Sequence, residues 1–366
     1  MRVKEIVNAI SEKLPTGIVT GQDNVGLIVG NYDDECDKMT VAYELDAEVL
    51  NEAVRTGSNL IITYHTPLFK PARYFTSSHL HPNPLFEASR SGMNVFAIHT
   101  ALDVVKTGLN FHLAKKIGLS NIHFLSPLTD TLAKVVVYVP VSHVEEVRLA
   151  MSRAGGGKIG DYYECSFGSN GKGTFLPGSD TEPYIGTRDV RETVEETRLE
   201  MLVEKHLVGS VIREMLEAHP YEEVAYDIYP LSSDSPNFGF GAMGELEVAI
   251  PIGDFLGKIK NLLDVETLRV SHVPNAKIQK VALCAGSGVP FYRDAVQKGA
   301  DVYLTGDVKH HDFREARSSS TVLVDATHSG TEKFATELIS EILAETFKDK
   351  VAVDVSKHQE RNSFIV

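Results

Sequence analysis

The chain has 366 residues, a formal net charge of −14 and 43% hydrophobic residues. This length exceeds what one ordinary core supports, so we expect two or three domains. The acidic balance disfavours nucleic acid and anionic membranes as partners, because both reward a basic surface. No apolar run approaches the roughly 20 residues of a membrane helix, and the N-terminus lacks a signal-peptide pattern, so we expect a cytoplasmic protein.

The first 127 residues alternate between helical and extended patterns. Apolar residues at helical spacing predict helices over residues 3–13, 47–56, 84–91 and 108–117. Apolar runs predict strands that begin after the turn at 23–26 and that cover 40–43, 60–64 and 95–98. Strands that alternate with helices predict a layered α/β lobe. The three cysteines form no Cys-x-x-Cys pair, so neither a disulfide framework nor a thiolate zinc site is expected.

The pattern changes near residue 130. The sequence predicts, in order, a strand, a helix, two strands, a helix and a strand, at 132–139, 144–154, 161–168, 197–203, 207–218 and 224–229. The order βαββαβ is the ferredoxin-like pattern. A Gly- and Pro-rich loop is predicted at 168–187, with a flexible hairpin at 168–173, and residues 232–241 have the composition of a linker. We therefore predict an inserted domain over 128–236, between a first lobe at 1–127 and a second at 237–366.

The α/β alternation resumes in the second lobe. The sequence predicts strands at 244–248, 281–284, 302–305, 322–325 and 351–355, with helices at 252–263, 291–298, 310–317 and 331–347. Residues 53–63 resemble residues 295–305, and Glu87-Ala88 has a counterpart in Glu315-Ala316. The repeat predicts two pseudo-symmetric α/β lobes. Their strand ends would face a shared crevice, which is where open α/β sheets bind ligands.

Three predicted strands end in imidazole or carboxylate side chains. One runs into His328 with Glu332 four residues on, a second runs into His99 with Asp103 four residues on, and a third ends at His65. A single histidine after a strand is usually a loop or core residue. Two His-x-x-x-carboxylate pairs together with His65 favour a divalent metal, and zinc, iron or manganese suits such ligands. A bridging Asp103 would let two ions share an activated water.

Other polar positions leave two interpretations open. Asp307 would either cap a helix or, like His311, lie near the metals as a supporting or acid–base group. The glycines at 285–288 fit a tight turn better than a phosphate loop. Asp23 is expected to form a turn rather than to act in chemistry. His79 and His81 are expected to be surface or lid residues.

Five segments together resemble one known family. Asp-Asn-Val-Gly-Leu at 23–27, Tyr-His-Thr-Pro-Leu-Phe at 64–69, His-Thr-Ala-Leu-Asp at 99–103, Thr-Gly-Asp-Val-Lys-His-His-Asp at 305–312 and His-Ser-Gly-Thr-Glu at 328–332 resemble the GTP cyclohydrolase I type 2 homolog family, also called Nif-three-like. The resemblance implies a two-lobed α/β fold, a dinuclear metal site between the lobes and a toroidal homohexamer. Residues 128–236 resemble the PII- or CutA-like domain that some bacterial members carry.

Carried over by motif, the resemblance implies that His65, Asp103, His328 and Glu332 are metal ligands, with His99 close by. Many members have His-His-Pro where this chain has Tyr64-His65-Thr66-Pro67. Tyr64 therefore stands where the resemblance implies a ligand, and a neutral phenol is a poor ligand. One metal would then be weaker, rely on His99, or be held by Tyr64 itself.

The family name implies a GTP cyclohydrolase, which opens the guanine imidazole ring hydrolytically with a proton shuttle such as His99 or His311. The first hypothesis is thus a two-metal hydrolase that acts on a nucleotide or another phosphorylated small molecule. The second is a non-enzymatic metal-binding assembly in which the insert is a sensor or gate. A DNA-linked regulator is a third, which the acidity disfavours.

Overall fold

A computed structural model describes residues 1–19, 23–70, 75 and 83–358 of the chain. His79 and His81 lie outside the described residues. The chain forms two compact units, of which the first comprises Met1–Pro127 with Asn237–Val366 and the second comprises Leu128–Pro236. The described residues form a mixed α/β fold with three sheets. None of the helices within the described ranges is long and apolar enough to cross a membrane.

The secondary structure follows the predicted alternation over most of the chain. The helices are α1 (Val3–Lys13), α2 (Ala47–Thr56), α3 (Pro84–Arg90), α4 (Thr100–Asp103), α5 (Leu109–Ile117), α6 (Val144–Arg153), α7 (Val208–Ala218), α8 (Ile252–Leu263), α9 (Tyr292–Gln297), α10 (His310–Ala316), α11 (His328–Thr331) and α12 (Ala335–Phe347). The strands are β1 (Gly26–Val29), β2 (Lys38–Ala42), β3 (Leu60–Thr63), β4 (Asn94–Ala97), β5 (Leu119–Pro127), β6 (Leu132–Pro140), β7 (Ser166–Phe175), β8 (Glu192–Glu204), β9 (Tyr226–Leu231), β10 (Gly239–Pro251), β11 (Arg269–Val270), β12 (Lys277–Leu283), β13 (Val302–Thr305), β14 (Val322–Asp325) and β15 (Ala352–Val355).

Local sequence explains the helix ends. The Asp46 carboxylate accepts a hydrogen bond from the Val49 amide at the start of α2, and Gly57 ends this helix in the left-handed conformation at φ 77°. Such caps satisfy backbone groups that the helix itself leaves unpaired. Between them, α2 buries Val49 and Ala53.

The first sheet has the order β1-β4-β3-β2-β15, in which β15, β2, β3 and β4 are parallel and β1 is antiparallel. Every residue of β3 and β4 is buried. Both faces of these strands are therefore covered, as is usual for parallel sheets. Thr63 pairs with Ala97, so β3 and β4 end side by side. This register brings together the polar residues that follow the two strands.

The second sheet has the order β11-β14-β13-β12-β10-β5. Its strands β12, β13 and β14 are parallel, and Thr305 pairs with Asp325 where β13 and β14 end. The sequence did not predict β5, whose buried and exposed residues do not alternate regularly. It also assigned the start of β10 to a linker at 232–241, which is wrong from Gly239 onward. Because Gly239 pairs with Pro127 of β5, β10 begins earlier in the chain than predicted.

The second unit contains a four-stranded antiparallel sheet of order β7-β8-β6-β9, with α6 after β6 and α7 after β8. Its core packs the two helices against β6 and β8, through Val137, Met151, Met201 and Val211. The predicted strand at 161–168 matches only from Ser166 onward. The loop predicted at 168–187 is wrong as far as Phe175 and the hairpin at 168–173 is wrong, because β7 covers Ser166–Phe175 and pairs with β8 throughout. Most β7 side chains are exposed. The sequence of β7 therefore lacks the hydrophobic pattern that would have predicted a strand.

Candidate metal centre

The candidate site lies in the first unit, at the ends of parallel strands. His65 follows β3, His99 follows β4, and His328 follows β14. His328 begins the short helix α11. The Thr327 hydroxyl caps the first turn of this helix by accepting a hydrogen bond from the Gly330 amide. Glu332 follows α11 directly. Its spacing of four residues from His328 places the two side chains on one turn.

Two imidazoles converge on one buried carboxylate. Nε2 of His65 and Nε2 of His328 each lie 3.1 Å from Oε2 of Glu332, which is only 4% exposed. One ligand atom from each of the three residues lies within 4.8 Å of the other two. Two imidazole nitrogens and a carboxylate oxygen are the donors that zinc and related divalent metals prefer. The three residues therefore fit a metal ion.

The other nitrogen of each histidine is held by an acidic side chain. Nδ1 donates to a carboxylate in all three rings, at 2.8 Å for His65 to Glu44, 2.6 Å for His328 to Asp307 and 2.5 Å for His99 to Asp23. Histidines that bind metals characteristically donate their second nitrogen in this way, which fixes the ring and its tautomer. The pattern leaves Nε2 of each ring for a ligand.

The roles of Asp23 and Asp307 differ from the simplest sequence interpretation. Asp23 does accept from the Asn24 amide as a turn residue, but its Oδ2 also accepts from the Thr100 hydroxyl at 2.6 Å and from His99. These bonds outweigh burial and lower the pKa of Asp23 to about 2. Asp307 does not cap α10, which begins at His310. Of the two alternatives, the structure places it as the partner of His328.

Tyr64 lies between two carboxylates. Its side chain is 1% exposed, and its hydroxyl oxygen lies 3.0 and 3.3 Å from the two oxygens of Asp103 and 3.3 Å from Oε1 of Glu332. Burial and these two negative charges raise the pKa of Tyr64 well above its usual value, so the phenol is neutral. Burial, then the charge of Glu332, raises the pKa of Asp103 to about 7.

The histidines balance the charge of Glu332. Burial alone would raise the pKa of Glu332, but hydrogen bonds from His328 and His65 lower it to about 2. The bond to Glu332 raises the pKa of His328 to about 9 against the effect of burial. For His65, burial lowers the pKa, and bonds to Glu332 and Glu44 more than compensate, bringing it to about 9. The positive charges of the two imidazoles and the negative charge of Glu332 therefore stabilise one another.

The structure separates the two candidate catalytic histidines. The ring centroid of His99 lies 5.4 Å from that of His65, beside the three-residue cluster. His311, in contrast, is exposed at the start of α10, and its ring neighbour is His310 at 5.7 Å. Throughout the described ranges, no hydrogen bond, ion pair or ring contact joins His311 to the cluster. His99 therefore lies beside the cluster, whereas His311 has no contact with it in the described part of the chain.

Sequence reasoning missed Tyr43, Glu44 and the tight packing at Gly286. Tyr43 donates to Oε2 of Glu332 at 2.5 Å. Tyr43 and Glu44 follow the end of β2 as His65 closely follows β3, so their position was the available signal. Gly286 has φ 64°, and a Cβ there would lie 2.3 Å from Oε1 of Glu332. Its turn therefore packs directly against the carboxylate.

A cavity of about 500 Å³ opens beside the cluster. It is lined by Tyr43, Glu44, His65, Thr267, Arg269, Asp307, Asp325, Thr327, His328 and Ser329. Arg269 is the one lysine or arginine among these described lining residues, and its side chain is 61% exposed. Its guanidinium pairs with Asp325, donates to the Val308 carbonyl at 2.8 Å and lies over the Phe313 ring. The cavity is large enough for a small-molecule ligand.

Comparisons with known proteins agree on one family. Residues 1–362 match Duf34/NIF3 (NGG1p interacting factor 3). A GTP cyclohydrolase 1 type 2 homolog of Halalkalibacterium halodurans is 35% identical over 337 residues, covering 92% of this chain and 90% of that protein. The homolog from Bacillus subtilis is 34% identical over 348 residues, covering 95% and 93%. The crystal structure of a Bacillus cereus protein related to NIF3 is 34% identical, with a TM-score of 0.86 over 100% of this chain and 99% of that chain. The chain therefore belongs to the Duf34/NIF3 family.

Proposed function

We propose that this protein is a dinuclear-metal hydrolase that acts on a nucleotide or another phosphorylated small molecule. The observation that carries the proposal is the convergence of His65 and His328 on Glu332, with a carboxylate on the far nitrogen of each ring. A structural histidine in a core does not require this paired arrangement, whereas metal-binding histidines almost always have it. The names of the relatives suggest GTP cyclohydrolase chemistry.

We propose two metal positions, of which the three-residue group His65, His328 and Glu332 supports the first. One ion would bind His65, His328 and Glu332. The second would bind Asp103 together with Glu332 and His99, with Tyr64 filling the position of a further ligand. Zinc suits this mixture of imidazole and carboxylate best, and iron or manganese is compatible with it. Divalent cations held there would supply Lewis-acid activation of water and substrate.

The residues around the metals have separate tasks. Asp23 fixes Nδ1 of His99, so Nε2 is the atom that would exchange a proton with the substrate if it does not bind metal. Tyr43 and Tyr64 orient Glu332 by hydrogen bonds. Arg269 lines the cavity and would supply the positive charge that a phosphate group pairs with. The acidic groups beside Arg269 would disfavour a polyanion unless metal ions are bound.

The proposal extends to the architecture. Three adjacent parallel strands in each sheet of the first unit, β2-β3-β4 and β12-β13-β14, support pseudo-symmetric lobes. The order β7-β8-β6-β9 with two intervening helices supports a ferredoxin-like second unit. We also propose the toroidal homohexamer that the family resemblance implies.

A second candidate is a non-enzymatic metal-binding assembly in which the second unit acts as a sensor or gate. The observation in its favour is that the second unit has a cavity of its own, of about 400 Å³. Both candidates need the metal centre, but only the hydrolase needs turnover. Measurements of metal content and of activity on the same samples therefore distinguish them.

The test compares wild type with His328→Ala and Asp103→Ala, and uses His123→Ala as a control. His123 lies on β5, where its Nδ1 contacts the Asn121 carbonyl. Metal per chain is measured by elemental analysis, and hydrolysis is screened on GTP and other nucleotides. We expect metal and turnover in wild type and in the control, and less metal per chain together with a loss of turnover in the two site variants.

Two results would count against the proposal. Metal without turnover on any nucleotide would leave the binding assembly as the better account. Turnover that survives both site substitutions would show that the residues are wrongly assigned.

A further inference from the structure

We propose that the second unit binds a small organic cation, an ammonium group carried on a short aliphatic chain, in an aromatic cavity with Glu196 as its counter-ion. The cavity has a volume of about 400 Å³ and lies within this unit, beside β7, β8 and the segment before β9. It contains none of the residues of the metal centre. The inference therefore does not depend on the proposed hydrolase activity.

Aromatic rings form much of the cavity wall. Tyr138, Phe175, Tyr184 and Tyr221 all line it. The ring centroid of Tyr221 lies 6.1 Å from that of Phe175 and 6.3 Å from that of Tyr184, with interplanar angles of 59° and 50°. Rings inclined in this way do not stack closely on one another. Ring faces attract ammonium groups through the quadrupole of the π system, and aromatic cages bind methylated ammonium groups in this way.

A buried carboxylate completes the wall. Glu196 is 9% exposed, and its Oε1 accepts a hydrogen bond from the Tyr221 hydroxyl at 3.1 Å. No ion pair to Glu196 occurs in the described part of the chain, and the lining includes no lysine, arginine or histidine. Buried charges in proteins are ordinarily paired, because an isolated ion loses its hydration. This carboxylate therefore has room for a cation that the described chain does not supply.

The neighbouring strand leaves space for the carboxylate. Gly173 on β7 lies against Glu196, and a Cβ at this position would be 2.0 Å from Oε2. Any other residue at position 173 would push the carboxylate out of its place. The preceding residue of β8, Glu195, points to the opposite face, is 67% exposed and pairs with Lys172 at 3.4 Å. Only one of the two adjacent glutamates is thus directed into the cavity.

The wall chemistry selects the class of cation. Hard metal ions such as Ca²⁺ take six to eight oxygen ligands, and aromatic faces cannot supply these. An organic ammonium instead uses both kinds of wall, since its charge pairs with Glu196 and its methyl or methylene groups contact the rings. Glu222 and Glu223 also line the cavity and add negative charge. The volume matches that of ordinary small-molecule sites.

Choline and ethanolamine are suitable probes of the full-length protein, by isothermal titration calorimetry or ligand-observed NMR. The uncharged analogue 3,3-dimethylbutan-1-ol has nearly the shape of choline and separates charge recognition from simple apolar binding. We expect at least one ammonium probe to bind and the neutral analogue to bind at least tenfold more weakly.

Matched variants test the two components of the wall. Glu196→Gln retains the size and a hydrogen-bond acceptor for Tyr221, and we expect it to weaken binding at least tenfold. Tyr184→Leu removes one ring, and because Tyr184 is 55% exposed this variant should fold even if Glu196→Gln does not. We expect it to weaken binding about three- to tenfold. The controls are Glu195→Gln and Tyr163→Leu, which change exposed residues of the same unit and should leave binding unchanged.

Three results would overturn the inference. The first is that neither ammonium probe binds at tens of millimolar. The second is that the neutral analogue binds as tightly as choline, since the cavity would then recognise only apolar shape. The third is that folded Glu196→Gln or Tyr184→Leu binds as wild type does.

Discussion

Gly286→Ala should weaken metal binding without removing any candidate ligand. The added Cβ would lie 2.3 Å from Oε1 of Glu332, whereas ordinary contact begins at 3.4 Å. Either the turn or the carboxylate must therefore retreat by about 1.1 Å. Bonds from zinc to its ligands tolerate only about 0.2 Å. We expect metal affinity to fall about 10- to 100-fold, the range found when a group supporting a ligand is lost.

The substitution also carries a backbone cost that has to be separated from this effect. An L-residue in the left-handed region costs roughly 1–2 kcal/mol, and Gly286 has φ 64°. Gly299→Ala is the matched control, because Gly299 has φ 72° in the same unit and a Cβ there would meet nothing within 4 Å. Both variants should lose similar stability in thermal unfolding of the metal-free protein.

Only Gly286→Ala should lose metal affinity, measured by competition with a chromophoric chelator. Wild-type affinity in Gly286→Ala would refute the argument that the turn fixes the position of Glu332. An equal loss of affinity in Gly299→Ala would show that general destabilisation, and not the contact with Glu332, is responsible.

Two further predictions concern protons and the phenol at the site. The pKa of His65 and of His328 is about 9 without metal, so metal binding below pH 9 should displace protons from these histidines. Metal affinity should therefore rise with pH, by up to about tenfold per pH unit for each proton displaced. Calorimetry in buffers of different ionisation enthalpy measures this release, and a binding heat that is the same in every buffer would contradict it. Tyr64→Phe should retain the metal held by His65, His328 and Glu332, because Tyr64 is a neutral donor to Asp103. A loss of all bound metal in elemental analysis of this variant would instead make Tyr64 a ligand.

Sequence alone was strongest where the pattern was local. Helix α8 has the predicted bounds of 252–263, and α2 those of 47–56, because amphipathic spacing and helix-ending residues are written in consecutive positions. Prediction was weakest for β5 and β7. Their pairing partners lie elsewhere in the chain, and their side chains do not alternate cleanly between core and solvent.

The candidate site divides in the same way. The sequence identified His65, His328 and Glu332 as polar residues at strand ends. Parallel strands have their carboxyl ends at the same edge of a sheet, which is where ligands bind. The sequence left open whether Asp307 would support the metals or cap a helix, and it did not indicate that Glu44 would hold the second nitrogen of His65. Those partners come from separate loops, and their contacts depend on how the loops are positioned.

What the sequence by itself determined is therefore most of the order of the elements, the family and the three residues, His65, His328 and Glu332, that fit a metal ion. Only the tertiary structure decided that Tyr64 would be a buried, neutral donor between Asp103 and Glu332. The same is true of Glu196, which lies in an aromatic cavity while its neighbour Glu195 faces solvent. The physical reason is that burial and electrostatic environment are sums over distant parts of the chain, whereas residue type and spacing are local.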